Sequence, residues 1–358
     1  MHRRALTKPD GRALTLYARA PIEGDIEATA AGMAAGASSH LRWHPLRGEW
    51  VVYAGHRQNR TFLPPPEWNP LAPSTDPEHP TEVPAGPWDV AVFDNLFSAL
   101  GSTVAPPHAI VETAPGLGTT EVVVFTQNPK GSLGSLELDH IALIVEVWAD
   151  RTSVLGTRED VAYVLPFENR GVEVGVTLHH PHGQIYAYPF IPPVAQRQLE
   201  LQRNYQEQRG TGLLGDLIAA ERAEEQRTLY VGEHALAWVP VCARWAYEIW
   251  VAPCRPVAML AQLELEERRD FARALQIALR KLDRLWQQPM PYVLAIYQAP
   301  TRGEHPHVHL HLEILPWLRM PKRQKYLAGS EVAAGVFTAD TLPEAKAAEL
   351  RTVEIDHD

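Results

Sequence analysis

His180, His182 and Gln184 stand at alternate positions in Thr177-Leu178-His179-His180-Pro181-His182-Gly183-Gln184-Ile185-Tyr186. Alternate residues of an extended chain project from one face, so this spacing predicts two imidazoles and an amide side by side. An apolar and β-branched run, Val174 to Leu178, leads in, and Ile185-Tyr186-Ala187-Tyr188 leads out. The stretch reads as strand, tight corner, strand. Pro181 fixes its own φ and Gly183 permits close backbone approach, so both imidazoles are held in place. Three polar groups inside an apolar strand pair cost desolvation energy unless something pairs with them. A neutral imidazole can attack phosphorus through one nitrogen while the other donates its N–H to a fixed acceptor that sets the tautomer. The neighbouring histidine and glutamine would then hold phosphate oxygens in a dry pocket. A metal site is the competing reading of the same residues.

The rest of the chain must position that stretch. Its 358 residues suffice for one large or two ordinary domains, and 45% apolar with 21% charged residues is ordinary soluble composition. A formal charge of −10 leaves no basic footprint for nucleic acid. No apolar run is long enough to span a bilayer, and Met1-His2-Arg3-Arg4 is not followed by the apolar core of a signal peptide. The two cysteines, Cys242 and Cys254, imply no disulfide framework, so the expected compartment is a reducing cytoplasm.

Residues 1–40 read as an N-terminal arm extended over the surface. A hairpin is expected over Leu41 to Ala54, running into His56-Arg57-Gln58-Asn59-Arg60, whose Arg57 and Arg60 could fork onto phosphate oxygens. A Pro-rich loop fills 64–87. Strands are expected at Val90–Asn95, Glu121–Phe125 and Val161–Phe167, with a turn at Glu168-Asn169-Arg170-Gly171 and an amphipathic helix from Leu136 to about Leu155.

The second half repeats the first. At an offset of 127 residues, Glu121-Val122-Val123-Val124 falls on Glu248-Ile249-Trp250-Val251, Leu136-Glu137-Leu138 on Leu263-Glu264-Leu265, and His180, His182 and Gln184 on His307, His309 and His311. A helix spanning roughly 195–235 joins the halves. The expectation is an α+β chain with an arm over 1–40 and two halves, 41–194 and 195–358, each an antiparallel sheet with packed helices. His305-Pro306-His307-Val308-His309-Leu310-His311-Leu312 reads as four histidines on one strand face, either a metal site or a relic of the duplication.

His307-Val308-His309-Leu310-His311-Leu312 resembles the alternating signature of the histidine-triad superfamily, and His180-Pro181-His182-Gly183-Gln184 its transferase form. With Glu168-Asn169-Arg170-Gly171, His56-Arg57-Gln58-Asn59-Arg60 and Lys325-Tyr326-Leu327-Ala328-Gly329-Ser330-Glu331, the chain is similar to the galactose-1-phosphate uridylyltransferase family over roughly 41–351. The resemblance implies a duplicated histidine-triad-like fold. It also implies a ping-pong transfer of UMP between a UDP-hexose and a hexose 1-phosphate through uridylyl-His182, with His180 and Gln184 beside it. By the same likeness Arg57, Arg60, Phe93, Asn95, Glu168, Asn169, Gly175 and Thr177 belong to the nucleotide and phosphate site. Lys325, Tyr326, Ala328, Glu331 and Phe337 belong to hexose recognition, on a segment that crosses a homodimer so that active sites are shared. No nucleic acid or membrane partner is implied. A relative acting on ADP-sugars, or a catalytically inactive nucleotide-binding dimer, are the alternatives.

Two departures bear on cofactors. The family's Cys-x-x-Cys falls on Asn69-Pro70-Leu71-Ala72 and its further zinc-binding histidine near Pro129, leaving His180 alone. In the second family metal site Gln198 and Tyr297 stand for a glutamate and a histidine, leaving His309 and His311. Two ligands rarely hold a metal, so neither zinc nor iron is expected. A sugar-contacting glutamine is replaced by Phe337.

Overall fold

A computed structural model describes residues 1–32, 38–59 and 68–356; Arg60 lies outside the described residues. Runs of alternating apolar residues become eleven strands of one antiparallel sheet. They are β1 (His2–Thr7), β2 (Ala13–Ala18), β3 (Val90–Asp94), β4 (Thr119–Val124), β5 (Tyr163–Arg170), β6 (His182–Tyr188), β7 (Thr228–Val231), β8 (Ala235–Trp238), β9 (Ile249–Pro253), β10 (Tyr292–Tyr297) and β11 (His311–Pro316). In space the order is β1-β2-β3-β4-β6-β5-β10-β11-β9-β8-β7. The helices are α1 (Leu138–Gly156), α2 (Pro193–Arg209), α3 (Leu213–Glu224), α4 (Leu265–Arg284) and α5 (Pro343–Arg351).

The α+β duplication is visible in this order. At the offset of 127, the 3₁₀ turn Leu133–Ser135 lands on Leu260–Gln262, and the first residue of α1 lands on the first of α4. The two halves meet where β5 pairs with β10, so their sheets form one continuous surface. Strand alternation then separates its two faces. Val90, Val92, Val123, Ile185 and Ala187 turn towards α1 and α4, where Trp148 meets Phe125 edge-on at 6.0 Å. Ala91, Phe93, Val122 and Val124 turn the other way, with Leu71, Val83 and Leu178 packed over them. Burying these apolar rows contributes about 25 cal/mol for each Å² removed from water.

Several expectations are corrected. The N-terminal segment is no surface arm: β1 and β2 form a hairpin that extends the sheet beside β3. Its signal is Leu14 and Leu16, alternating and fully buried, with Gly11 in the left-handed region closing the turn at φ +88°. Glu168, Asn169 and Arg170 are strand, not turn, paired with Leu294, Val293 and Tyr292. Val174 to Leu178 is not a strand, because Gly171 (φ +98°) and Gly175 (φ +80°) break extension around a short 3₁₀ turn, Val172–Val174. The single linker helix is two, interrupted at Gly210 (φ +75°). The four-histidine strand begins only at His311. The hairpin expected over Leu41 to Ala54 is present, with His40–His44 paired to Glu49–Tyr53.

Candidate active site

The floor of the site is a row of residues across neighbouring strands. Phe93 of β3 pairs with Val122 of β4, Val122 with Gln184 of β6, and Gln184 with Phe167 of β5. His182 stands two residues before Gln184 on the same face of β6. Above this row opens a cavity of about 640 Å³. Its lining includes His182 and Gln184 together with Arg57, Phe93, Asn95, Asn169, Gly175 and Thr177, so most of the sequence-derived nucleotide residues converge there. Gly183, between the two polar residues, faces Phe125: a Cβ built there would lie 2.6 Å from Phe125 Cζ and 2.9 Å from the Phe167 carbonyl oxygen. Only glycine lets β6 lie this close to its neighbours.

Hydrogen bonds assign the imidazole tautomers. His182 Nδ1 is 2.7 Å from the His180 carbonyl oxygen. A carbonyl only accepts, so Nδ1 carries the proton and Nε2 carries the lone pair. Burial holds the His182 pKa below its ordinary value, which keeps the ring neutral. His180 is buried, borders a smaller adjoining cavity rather than this one, and donates from Nε2 to the Thr126 carbonyl oxygen at 2.7 Å. Its Nδ1 accepts an N–H from Asn69 Nδ2 at 2.9 Å, and the orientation of that amide is set by Asn69 Oδ1, which accepts from Leu71 N–H. His180 therefore acts on the site through its backbone: its carbonyl fixes His182.

Arg57 borders the cavity, and its Nε is buried without a hydrogen-bond partner among the described residues. A guanidinium placed so is ready for an anion. Glu168 does not join this lining. It is buried, accepts from the Tyr292 hydroxyl at 2.8 Å, and has its pKa pushed up to about 7 by burial. A second cavity of about 400 Å³ shares Asn169, Val176, Leu178 and His182 with the first and is lined also by Glu168, His180, Lys130 and Arg170.

Lys325, Tyr326, Ala328, Glu331 and Phe337 line neither cavity. Glu331 accepts from the N–H groups of Ala328 and Thr338, and Lys325 Nζ donates to the Thr338 carbonyl oxygen, so their segment is internally braced. Tyr326 is 77% exposed. Phe337 packs against Trp245, with the Arg244 guanidinium 5.0 Å from its ring centre.

At the two positions where the resemblance implies metals the side chains differ in state: a hydrogen bond closes the first, whereas at the second His309 Nδ1 is buried without a hydrogen-bond partner among the described residues. At the first, the Asn69 amide points an N–H at His180 Nδ1, and a nitrogen lone pair so engaged is not available to a cation. At the second, Gln198, Tyr297, His309 and His311 line one small void. Gln198 donates to Glu313 at 2.8 Å, and Tyr297 stacks on His311 at 5.4 Å. Among the described residues no three histidine, cysteine or carboxylate side chains gather as a metal shell.

Residues 28–192 match the N-terminal domain of galactose-1-phosphate uridyl transferase, and residues 198–358 match its C-terminal domain. The chain belongs to the galactose-1-phosphate uridylyltransferase family. It is 34% identical to the galactose-1-phosphate uridylyltransferase of Thermotoga maritima over 323 residues, covering 88% of this chain and 99% of that one. The Streptomyces lividans enzyme is also 34% identical, over 336 residues, with 90% and 89% covered. A solved uridylyltransferase superposes with a TM-score of 0.79 at 32% identity, covering 88% of this chain and 98% of its own. An ADP-glucose phosphorylase from Arabidopsis thaliana, with ADP-glucose bound, shares the fold at a TM-score of 0.67 and 23% identity, covering 89% of this chain and 100% of its own.

Sequence reasoning missed Trp68, Leu71, Glu82 and Tyr186, which also line this cavity. Tyr186 carried a signal, since it continues the alternation from Gln184. Trp68 and Glu82 sit in the Pro-rich loop, where no periodicity points inward.

Proposed function

We propose that this enzyme exchanges UMP between a UDP-hexose and a hexose 1-phosphate in two displacements at His182. Nε2 of the neutral ring attacks the α-phosphorus of UDP-glucose, a P–N bond forms, and the P–O bond to glucose 1-phosphate breaks. A phosphate oxygen of galactose 1-phosphate then attacks the uridylyl-histidine, the P–N bond breaks, and UDP-galactose leaves. The Nδ1–H to the His180 carbonyl oxygen stays in place throughout and stabilises the positive charge that develops on the ring. Gln184 and Arg57 face the transferred phosphate, and Phe93, Asn95, Asn169, Gly175 and Thr177 bound the nucleoside. The observation that carries this reading is a neutral, tautomer-fixed imidazole on the floor of a cavity large enough for a nucleotide.

Hexose recognition by Lys325, Tyr326, Ala328, Glu331 and Phe337 comes from a second copy of the chain. In support, none of them borders the cavity of its own subunit, and their braced segment presents exposed Tyr326, Val332 and Val336. Neither step needs a metal: Asn69 takes the role of holding His180, and the nucleophile is nitrogen. A reducing cytoplasm is the working compartment, in keeping with two free cysteines. No described helix is long and apolar enough to cross a membrane.

Incubation with UDP-glucose should add the mass of one UMP to the protein, acid-labile and located on His182. His182→Gly should abolish both labelling and turnover; a variant that still turns over refutes the nucleophile. Labelling by ADP-glucose in preference to UDP-glucose would move the substrate to the adenine series. Stoichiometric zinc in the active protein would overturn the role given to Asn69.

A further inference from the structure

The tip of the β1–β2 hairpin reaches the back of the nucleotide cavity. It precedes residue 28, where the family match begins. Lys8, at the turn between the strands, is 2% exposed. Its ammonium donates to Glu82 Oε2 at 2.6 Å and also to the Glu82 carbonyl oxygen. The same ammonium lies 4.4 Å from the centre of the Phe93 ring. Arg12, on the other side of the turn, reaches Glu82 Oε2 at 2.9 Å, and its NH1 donates to the Asp94 carbonyl oxygen. The Ala31 N–H donates to Glu82 Oε1 at 3.3 Å, beside Arg12 NH2 at 3.2 Å. Glu82, Phe93 and Ala31 all line the cavity. One buried cation thus ties together a wall residue and a floor residue that are remote in sequence.

A buried ion pair costs the desolvation of both charges, and a well-packed apolar pair is at least as stabilising. What Lys8 supplies that an apolar residue does not is direction. It fixes the carboxylate and backbone of Glu82, and it holds the ring of Phe93 by its π face. We propose that Lys8 is a positioning residue of the nucleotide site, clamping Phe93 and Glu82 so that the pocket is preformed for a nucleoside. This rests on the assignment of the cavity to a nucleotide. Preformation lowers the ordering cost of binding, so the effect falls on nucleotide affinity rather than on the chemical step at His182.

The test is calorimetric titration of UMP into the full-length protein, beside steady-state kinetics with UDP-glucose. Lys8→Met should weaken UMP binding by about tenfold and raise KM for UDP-glucose to match, with kcat little changed. Lys8→Arg, which keeps a cation beneath the ring, should recover part of the affinity. Glu82 keeps Arg12 as a partner in Lys8→Met; should that variant nonetheless fail to fold, the double variant Lys8→Met/Glu82→Gln removes both charges together and should show the same loss. Wild-type UMP affinity in the folded single or double variant overturns the proposal, as does a fall in kcat with affinity intact. Wild-type protein that takes up no UMP overturns the nucleotide assignment itself, and the clamp with it.

Discussion

Asn69 and His180 are 111 residues apart and meet through one hydrogen bond. That bond, with the Thr126 carbonyl that accepts from Nε2, holds the His180 ring in one tautomer and orientation, and the His180 carbonyl decides the tautomer of His182. Asn69→Ala removes the N–H and leaves a buried ring nitrogen unpaired, a loss of about 1–2 kcal/mol. Because the lost contact aligns the nucleophile and touches no substrate, kcat should fall by roughly tenfold with KM nearly unchanged. Steady-state kinetics decides it, and an unchanged kcat would remove Asn69 from the machinery. The pH profile follows from the same environment. Protonating Nε2 of His182 removes the attacking lone pair, and burial disfavours that protonated form. The acid limb of kcat/KM should therefore lie below the ordinary histidine value of 6.5. An inflection above 6.5 would show a ring stabilised in its charged form. At this scale the alternation of His182 and Gln184 was readable from their spacing alone. The Asn69 bond was not, since the loop that brings Asn69 back has no period to follow.

Whole elements were legible where one face of them is buried and illegible where backbone conformation decides. α1 and α4 come from copies of one pattern, and their starts coincide at the repeat offset. The helix and strand periods were therefore enough to place both halves. The approach to His182 was misread as a strand because its residues are β-branched, yet Gly171 and Gly175 take conformations that interrupt extension. Gly175 and Thr177, on the irregular stretch that follows this break, line the cavity. The β1–β2 hairpin was hidden by the charged residues of β1, although Leu14 and Leu16 of β2 alternate as a strand with one buried face requires. The division of labour between the sheet faces is testable on α4. Leu275 is fully buried there, on the face away from the cavity. Leu275→Ala should cost about 2–5 kcal/mol in urea unfolding and leave KM for UDP-glucose unchanged. A raised KM at full folding would show that packing under the sheet reaches the site.

Across the molecule the duplication is nearly symmetric in fold and asymmetric in chemistry. The offset that carries His182 to His309 also carries it to a place where Gln198 of α2, Tyr297 and His311 border only a small void. His309 itself is buried neutral, its pKa lowered by burial to about 4. One half therefore keeps an open cavity, while the braced segment Lys325–Phe337 of the other half stays out of it. If that segment completes the cavity of a second subunit, each active site needs His182 from one chain and Glu331 from its partner. Two damaged chains can then repair one another. A His182→Gly subunit brings an intact recognition segment, and a Glu331→Ala subunit brings an intact nucleophile. Their heterodimer contains one site with both groups and one with neither. Random mixing makes half of the dimers heterodimeric with one working site of two, so co-expression should restore roughly a quarter of wild-type activity from two nearly inactive parents. If the segment folded back over its own cavity, every chain in the mixture would lack one essential group and no activity would return.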